Sequence, residues 1–299
     1  MSLLPADGPA VPTPIPIPMP VPSGAAQPSP ILTLAAKELK ERLRNRWVLA
    51  VAGVFTLFSL LITYFGGAAQ GQIGPQSLAY TISSLVSLVI YLLPLIALLL
   101  GFDTVVGERE RGSLELLLAY PVSRAELLLG KFLGLATALT LSTLAGFALV
   151  GVLLWRQFGA AALLHYGGFV LSATLLGLSF LSLALLISVL AKERTRASGL
   201  AILLWFLFVL VFDLALLGLL VGSGGQWAGD WFAWLLLANP CDVFRIANVF
   251  TLDQVGGLMG AGSLGTLVPP AFANPALLGA ALLAWIALPL GAAIWRFKP

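Results

Sequence analysis

The sequence predicts an all-α, polytopic membrane protein with six transmembrane helices, an N-terminal amphipathic surface helix, and a short cytosolic helix between spans two and three. Three observations carry this. The 299 residues are 59% hydrophobic and only 10% charged, whereas about a quarter of an ordinary soluble domain is charged. No Asp, Glu, Lys or Arg occurs from Trp47 to Phe102, nor from Phe132 to Trp155, and about 20 apolar residues cross a bilayer core as helix. Eight of the chain's 16 basic and 13 acidic residues fall within residues 107–131, GERERGSLELLLAYPVSRAELLLGK.

Residues 1–30 contain ten prolines, alternating in VPTPIPIPMPVP. Proline fixes φ and removes donors, so this stretch reads as an extended or disordered cytosolic tail with polyproline character. A partner-docking strand is the alternative. The segment lacks a basic n-region and is not expected to be a signal peptide. Residues 31–299 form the membrane domain. It opens with ILTLAAKELKERLRNRW, in which Leu32, Ala35, Ala36, Leu39 and Leu43 share one helical face. That pattern predicts a helix lying at the membrane surface, its basic residues near anionic headgroups.

Six spans follow, at about 47–65, 78–102, 132–155, 167–191, 197–222 and 275–295. The long Gly-rich loop 223–274 contains WFAWLLLA at 231–238, too short to span and read as interfacial or re-entrant. In span three, Gly130, Gly134, Ala138, Ser142 and Gly146 recur every four residues, a ladder that lets helix backbones approach closely. With the N-terminus in the cytosol, 14 of the 16 basic residues lie on the inner side, leaving only Arg156 and Arg245 outside. The positive-inside rule therefore places both termini and residues 103–131 in the cytosol.

The charged stretch has its own grammar. Gly112 breaks the chain, Ser113 is placed to cap a short helix LELLLA, and Pro121 ends it. Ser123 and Glu126 then form the S-x-x-E pattern of a capping box ahead of span three. A stiff, charged, cytosolic helix reads as a docking element; a solvated mixed-charge loop is the alternative.

This segment resembles the signature of ABC-2 type permeases, the membrane halves of ATP-driven transporters. The order of a surface helix, six spans and a charged loop after span two is also similar. More narrowly, GLAILLWFLFVLVFDLALLGLL and NPCDVFRIANVF are similar to the branch of that family that serves nitrous oxide reductase maturation. The resemblance implies that Glu108, Arg109, Glu110, Arg111, Ser113, Leu114, Glu115, Leu116 and Leu117 form a coupling helix seated in a cytosolic ATPase. It further implies a homodimer in the bacterial inner membrane, a periplasmic accessory protein, and a role in assembling the reductase's copper–sulfur centre, with a sulfur species as cargo. A general exporter of lipid, drug or polysaccharide, and a non-conducting scaffold, remain as alternatives.

The chain has no G-x-x-x-x-G-K-[ST] phosphate loop, so ATP and Mg belong to a partner chain and no cofactor is expected here. One cysteine, one histidine and three methionines leave no soft-ligand metal site. No nucleophile, base and orienting group can be assembled, so no enzymatic activity is expected, and nothing suggests a nucleic-acid surface. Asp213, inside span five, costs about 2.5–3.5 kcal/mol at mid-bilayer unless paired or turned inward. Its basic partners on that side are Arg156 or Arg245, and the alternatives are a structural pair and a conduit or gating role. Asp242 and Arg245 have the i,i+3 spacing of one helix face, which reads as a local clasp or a periplasmic contact.

Overall fold

The computed structural model describes residues 29–44, 46–65, 78–223, 234–256 and 274–297. The proline-rich tail up to residue 28, the Gly-rich linker 66–77 and most of the loop after span five lie outside them. Among the described residues every regular element is helical. They are α1 (Pro30–Arg44), α2 (Trp47–Phe65), α3 (Leu78–Gly101), α4 (Val106–Glu110), α5 (Ser113–Leu118), α6 (Arg124–Phe158), α7 (Ala160–Leu190), α8 (Arg194–Phe206), α9 (Phe212–Gly222), α10 (Pro240–Gly256) and α11 (Pro275–Arg296). A π turn, Leu207–Val211, joins α8 to α9 in one long rod. Among the described residues five helices are long and apolar enough to cross a membrane, or six if the pair α1 and α2, bent by 63°, is counted as one span.

The small-residue ladder explains how α1 and α2 are seated. A Cβ on Gly130 would stand 2.6 Å from Leu34 Cβ, and one on Gly134 would stand 2.6 Å from Glu38 Cβ and 2.7 Å from the Ala35 carbonyl. One on Gly146 would collide with Phe55. The first half of the ladder therefore receives α1 and the second half α2. The edge of α1 facing α6 is Leu34, Ala35 and Glu38, while Leu32, Ala36 and Leu43 stay exposed. An apolar stripe left open beside a packed edge suits a helix lying on lipid.

Behind this, α6 and α7 form the centre. Phe147 contacts Phe55 and Phe169 at centroid distances of 5.2 and 5.4 Å, and Phe169 continues to Phe244 at 6.1 Å. This aromatic row ties α2, α6, α7 and α10 together. The Tyr166 hydroxyl, buried in the same row, donates to the Phe147 carbonyl at 2.9 Å, as a phenol removed from water must. Ser179 and Ser182 donate to the Leu282 and Trp285 carbonyls at 3.3 and 3.1 Å, fixing α11 against α7.

The described segment before α10 packs against two of the spans. Trp285, ten residues after Pro275 and eleven before Arg296 in α11, donates its indole N–H to the Leu237 carbonyl at 2.9 Å. Asn239 donates to the Phe208 carbonyl, in the π turn, at 2.9 Å. The 3-10 turn Leu236–Ala238 thus lies level with the middle of two spans. Irregular backbone at such a depth is tolerated where protein covers it and supplies partners.

Candidate functional site

Residues 103–126 are built as a folded bracket. The first N–H groups of α4 lack a local cap; Ser188 of α7 accepts from Val105 and Val106 at 2.9 and 3.1 Å instead. Gly112 turns the chain at φ +69°, in the left-handed region that suits glycine. Gly112, not Ser113, occupies the N-cap of α5. The Ser113 hydroxyl donates to the Glu108 carbonyl at 3.3 Å, so it braces α4 against α5 rather than capping the helix as its position in the sequence suggests. After Pro121, Ser123 accepts from the Glu126 N–H at 3.2 Å and its own N–H donates to the Glu126 carboxylate at 2.8 Å. This reciprocal pair is a complete capping box on α6.

Four of the charged side chains in this bracket, Asp103, Glu108, Arg109 and Glu110, are engaged by other parts of the protein. Glu108 accepts from Lys131 at 2.6 Å, and Lys131 lies 3.6 Å from Glu38, which in turn pairs with Arg42 at 3.1 Å. Arg109 donates to the carbonyls of Ala191 and Val189 at 2.7 and 3.4 Å. Glu110 accepts from the Arg194 N–H at 2.6 Å, while the Arg194 guanidinium lies 2.9 Å from Asp103. Rivets therefore join the bracket to α1 on one side and to the α7–α8 junction on the other.

What remains outward is smaller than the sequence suggests. Leu114 is buried and Leu117 half-buried, both packed on the main core. Arg111 and Glu115 are exposed, and Leu116 is 69% exposed. Tyr120, one helical turn beyond Leu116, is 68% exposed and was not among the residues singled out. An aromatic residue directly before the terminating proline was the available signal. Lys131, Asp103, Arg194 and Glu38 were likewise missed, because their partners lie on other helices.

A second polar cluster lies in the half of the bundle away from the bracket. Arg245 of α10 donates to Asp213 of α9 at 2.7 Å and to Asp242 at 2.7 Å. Asn239 donates to Asp242 at 3.0 Å and accepts from the Cys241 N–H at 3.0 Å. Asp242 and Arg245 thus lie together as the i,i+3 pair, and the basic partner of Asp213 is Arg245, not Arg156. The side chain of Asp242 is 2% exposed, while Asp213 and Arg245 are open by about a third. Two carboxyl groups thus share one guanidinium, and Asn239 supplies a further hydrogen bond to Asp242. Among the described residues no cluster of His, Cys, Asp and Glu could hold a metal ion.

The family model described as "ABC-2 family transporter protein" matches residues 32–299. The chain is 46% identical over 270 residues to the "Probable ABC transporter permease protein NosY" of Stutzerimonas stutzeri, covering 87% of this chain and 95% of that protein. It is also 46% identical over 278 residues to the protein of the same name in Pseudomonas aeruginosa, covering 90% of this chain and 98% of that protein.

Proposed function

The chain belongs to the ABC-2 transporter family as a permease subunit, and from that premise we propose that it drives maturation of nitrous oxide reductase during denitrification. The observation that carries the mechanism is the bracket's division of labour. Glu108, Arg109 and Glu110 bind the rest of the permease, and Leu116 and Tyr120 face out. A cytosolic ATPase grips the outward face, and its movement on ATP hydrolysis enters the membrane domain through the rivets. Arg194 delivers it to the fifth span, Lys131 to α1. In the far half of the fifth span, Asp213 passes the displacement through Arg245 to α10.

Two copies complete the transporter. The fifth span supports this, since Ile202, Leu203, Phe206, Leu214 and Leu217 are exposed along it, and six spans make half of the usual set for this class. Both termini and the bracket face the cytosol of a bacterium whose inner membrane holds the complex. On the periplasmic side an accessory protein receives a sulfur species for the reductase's copper–sulfur centre. A chain with one cysteine, one histidine and three methionines offers copper no relay of soft ligands, which favours sulfur as its cargo.

Purification in mild detergent tests the assembly, and deletion of the gene in a denitrifying host tests the role. Copurification of an ATPase and a periplasmic protein is expected, together with a reductase that lacks its copper–sulfur centre in the deletion strain. A fully loaded reductase in that strain would overturn the maturation role; an ATPase without the periplasmic protein would favour a general exporter.

A further inference from the structure

Behind the bracket, on the side of α5 away from Leu116 and Tyr120, lies a half-open cavity of about 500 Å³. Its walls come from helix ends at one level. Arg124 is the first residue of α6, Leu190 the last of α7, and Phe297 the C-cap of α11. Leu114, Leu118, Val189, Leu190 and Phe297 supply an apolar lining, and Arg109, Arg124 and Lys192 supply three cations against one carboxylate, Glu115. No ion pair engages any of these three cations among the described residues. Arg109 is moreover held in place by the two carbonyls of α7's end, which use only part of its five-donor fork.

We propose that this cavity is a binding site for an anionic phospholipid of the leaflet on that side, its phosphate held by Arg109, Arg124 and Lys192 and an acyl chain laid on the apolar wall. Such a lipid brings a negative headgroup and a hydrocarbon tail together, as the cations and the apolar wall of this cavity require. The site sits where helices end, which is where headgroups lie, and fixed cations there attract anionic lipid. An arginine fork suits a phosphate oxygen pair. A lipid wedged between α5 and the ends of α7 and α11 would hold the bracket at its working angle, so the permease would respond to the anionic content of its membrane. The proposed orientation decides only which leaflet supplies the lipid, so the site can be tested without it.

The test uses purified full-length permease without ATPase. In one arm the thermal midpoint is followed against added dioctanoyl phosphatidylglycerol, dioctanoyl phosphatidylcholine or inorganic phosphate. Stabilisation by phosphatidylglycerol alone is expected. Neutralising each cation weakens binding about fivefold, so Arg124→Gln/Lys192→Gln moves half-saturation up about 25-fold by the same rule, while Arg156→Gln leaves it unchanged. In the second arm, Leu118→Cys in a Cys241→Ser background is labelled with a soluble maleimide; phosphatidylglycerol should slow labelling and phosphatidylcholine should not. This arm does not depend on the double variant folding. Equal protection by both lipids, equal stabilisation by inorganic phosphate, or an unmoved half-saturation in the double variant would each overturn the proposal. None of these outcomes bears on whether an ATPase docks at Leu116 and Tyr120, which is read by capture instead.

Discussion

Arg245 of α10 lies 2.7 Å from Asp213 of the fifth span, and this contact, with the Asn239 to Phe208 hydrogen bond, ties an otherwise open helix to the segment beside it. The second arm of the same guanidinium holds Asp242 at 2.7 Å. One cation thus serves two carboxylates, and the consequences of removing each partner differ.

Arg245→Met strands Asp242, which is almost fully buried, beside Asp213. Breaking a buried pair by deleting one partner costs about 3–5 kcal/mol. Asp213→Asn removes only a part-exposed member and leaves Arg245 with Asp242, so its cost should be nearer about 1 kcal/mol. Thermal unfolding of the detergent-solubilised permease should rank Arg245→Met well below Asp213→Asn. An equal loss would mean that Asp213, not Asp242, is the carboxylate that needs the charge.

The glycine ladder gives a steric test. A methyl at Gly134 would stand 2.7 Å from the Ala35 carbonyl, a backbone atom that cannot swing aside, so Gly134→Ala must push α1 away at a cost of about 1–3 kcal/mol. Gly53 has nothing within 4 Å of the same position, and alanine there should be neutral or mildly stabilising by helix propensity, within about 1 kcal/mol. Protease access to the junction between α1 and α2 should rise for Gly134→Ala only.

Lys131 is buried between Glu38 and Glu108, so Lys131→Met leaves Glu38 with Arg42 alone and strips Glu108 of its ion-pair partner. A loss of about 3–5 kcal/mol is expected. Adding Glu108→Gln removes that carboxylate's charge and should recover part of the loss. The melting midpoints of the two singles and the double give the coupling directly, and strict additivity would show that Lys131 and Glu108 do not act as a pair.

The spans were legible because hydrocarbon thickness sets their length: Trp47–Phe65 and Pro275–Arg296 begin at the residues where the apolar runs begin, and the first also ends with its run. The third and fourth spans, α6 and α7, run beyond the predicted bounds, to Arg124, where the capping box starts the helix, and back to Ala160, which directly follows Gly159. The capping box is a four-residue device and was readable for that reason. The α1 contact was visible only in half: the Gly130 to Gly146 ladder announced a close neighbour, and nothing in a one-dimensional pattern said which. The rivets Glu108–Lys131 and Asp103–Arg194 join residues 23 and 91 positions apart, and only folding brings them together. Ser113 misled because a serine after glycine looks like a cap when the left-handed glycine itself takes that place.

The outward face of α5 carries the last prediction. Leu114 and Leu116 look equivalent in SLELLL, yet a helix of 3.6 residues per turn points them to different sides. Leu114 is buried against the core, so Leu114→Ala should destabilise the free permease by about 2–3 kcal/mol. Leu116 is exposed and Leu116→Ala should leave the free permease unchanged. If Leu116 and Tyr120 anchor the ATPase, the double Leu116→Ala/Tyr120→Ala variant should lose at least about 2 kcal/mol of binding, which is about thirtyfold in affinity. Glu115→Ala should matter less, since a rim charge chiefly affects the association rate. Melting of the permease alone, capture of the ATPase and permease-stimulated ATP turnover are measured on the same preparations. The double variant should melt normally while capture and turnover both fall. Wild-type capture by the double variant would show that the ATPase grips elsewhere, and the exposed pair would then be no more than a solvated corner of the bracket.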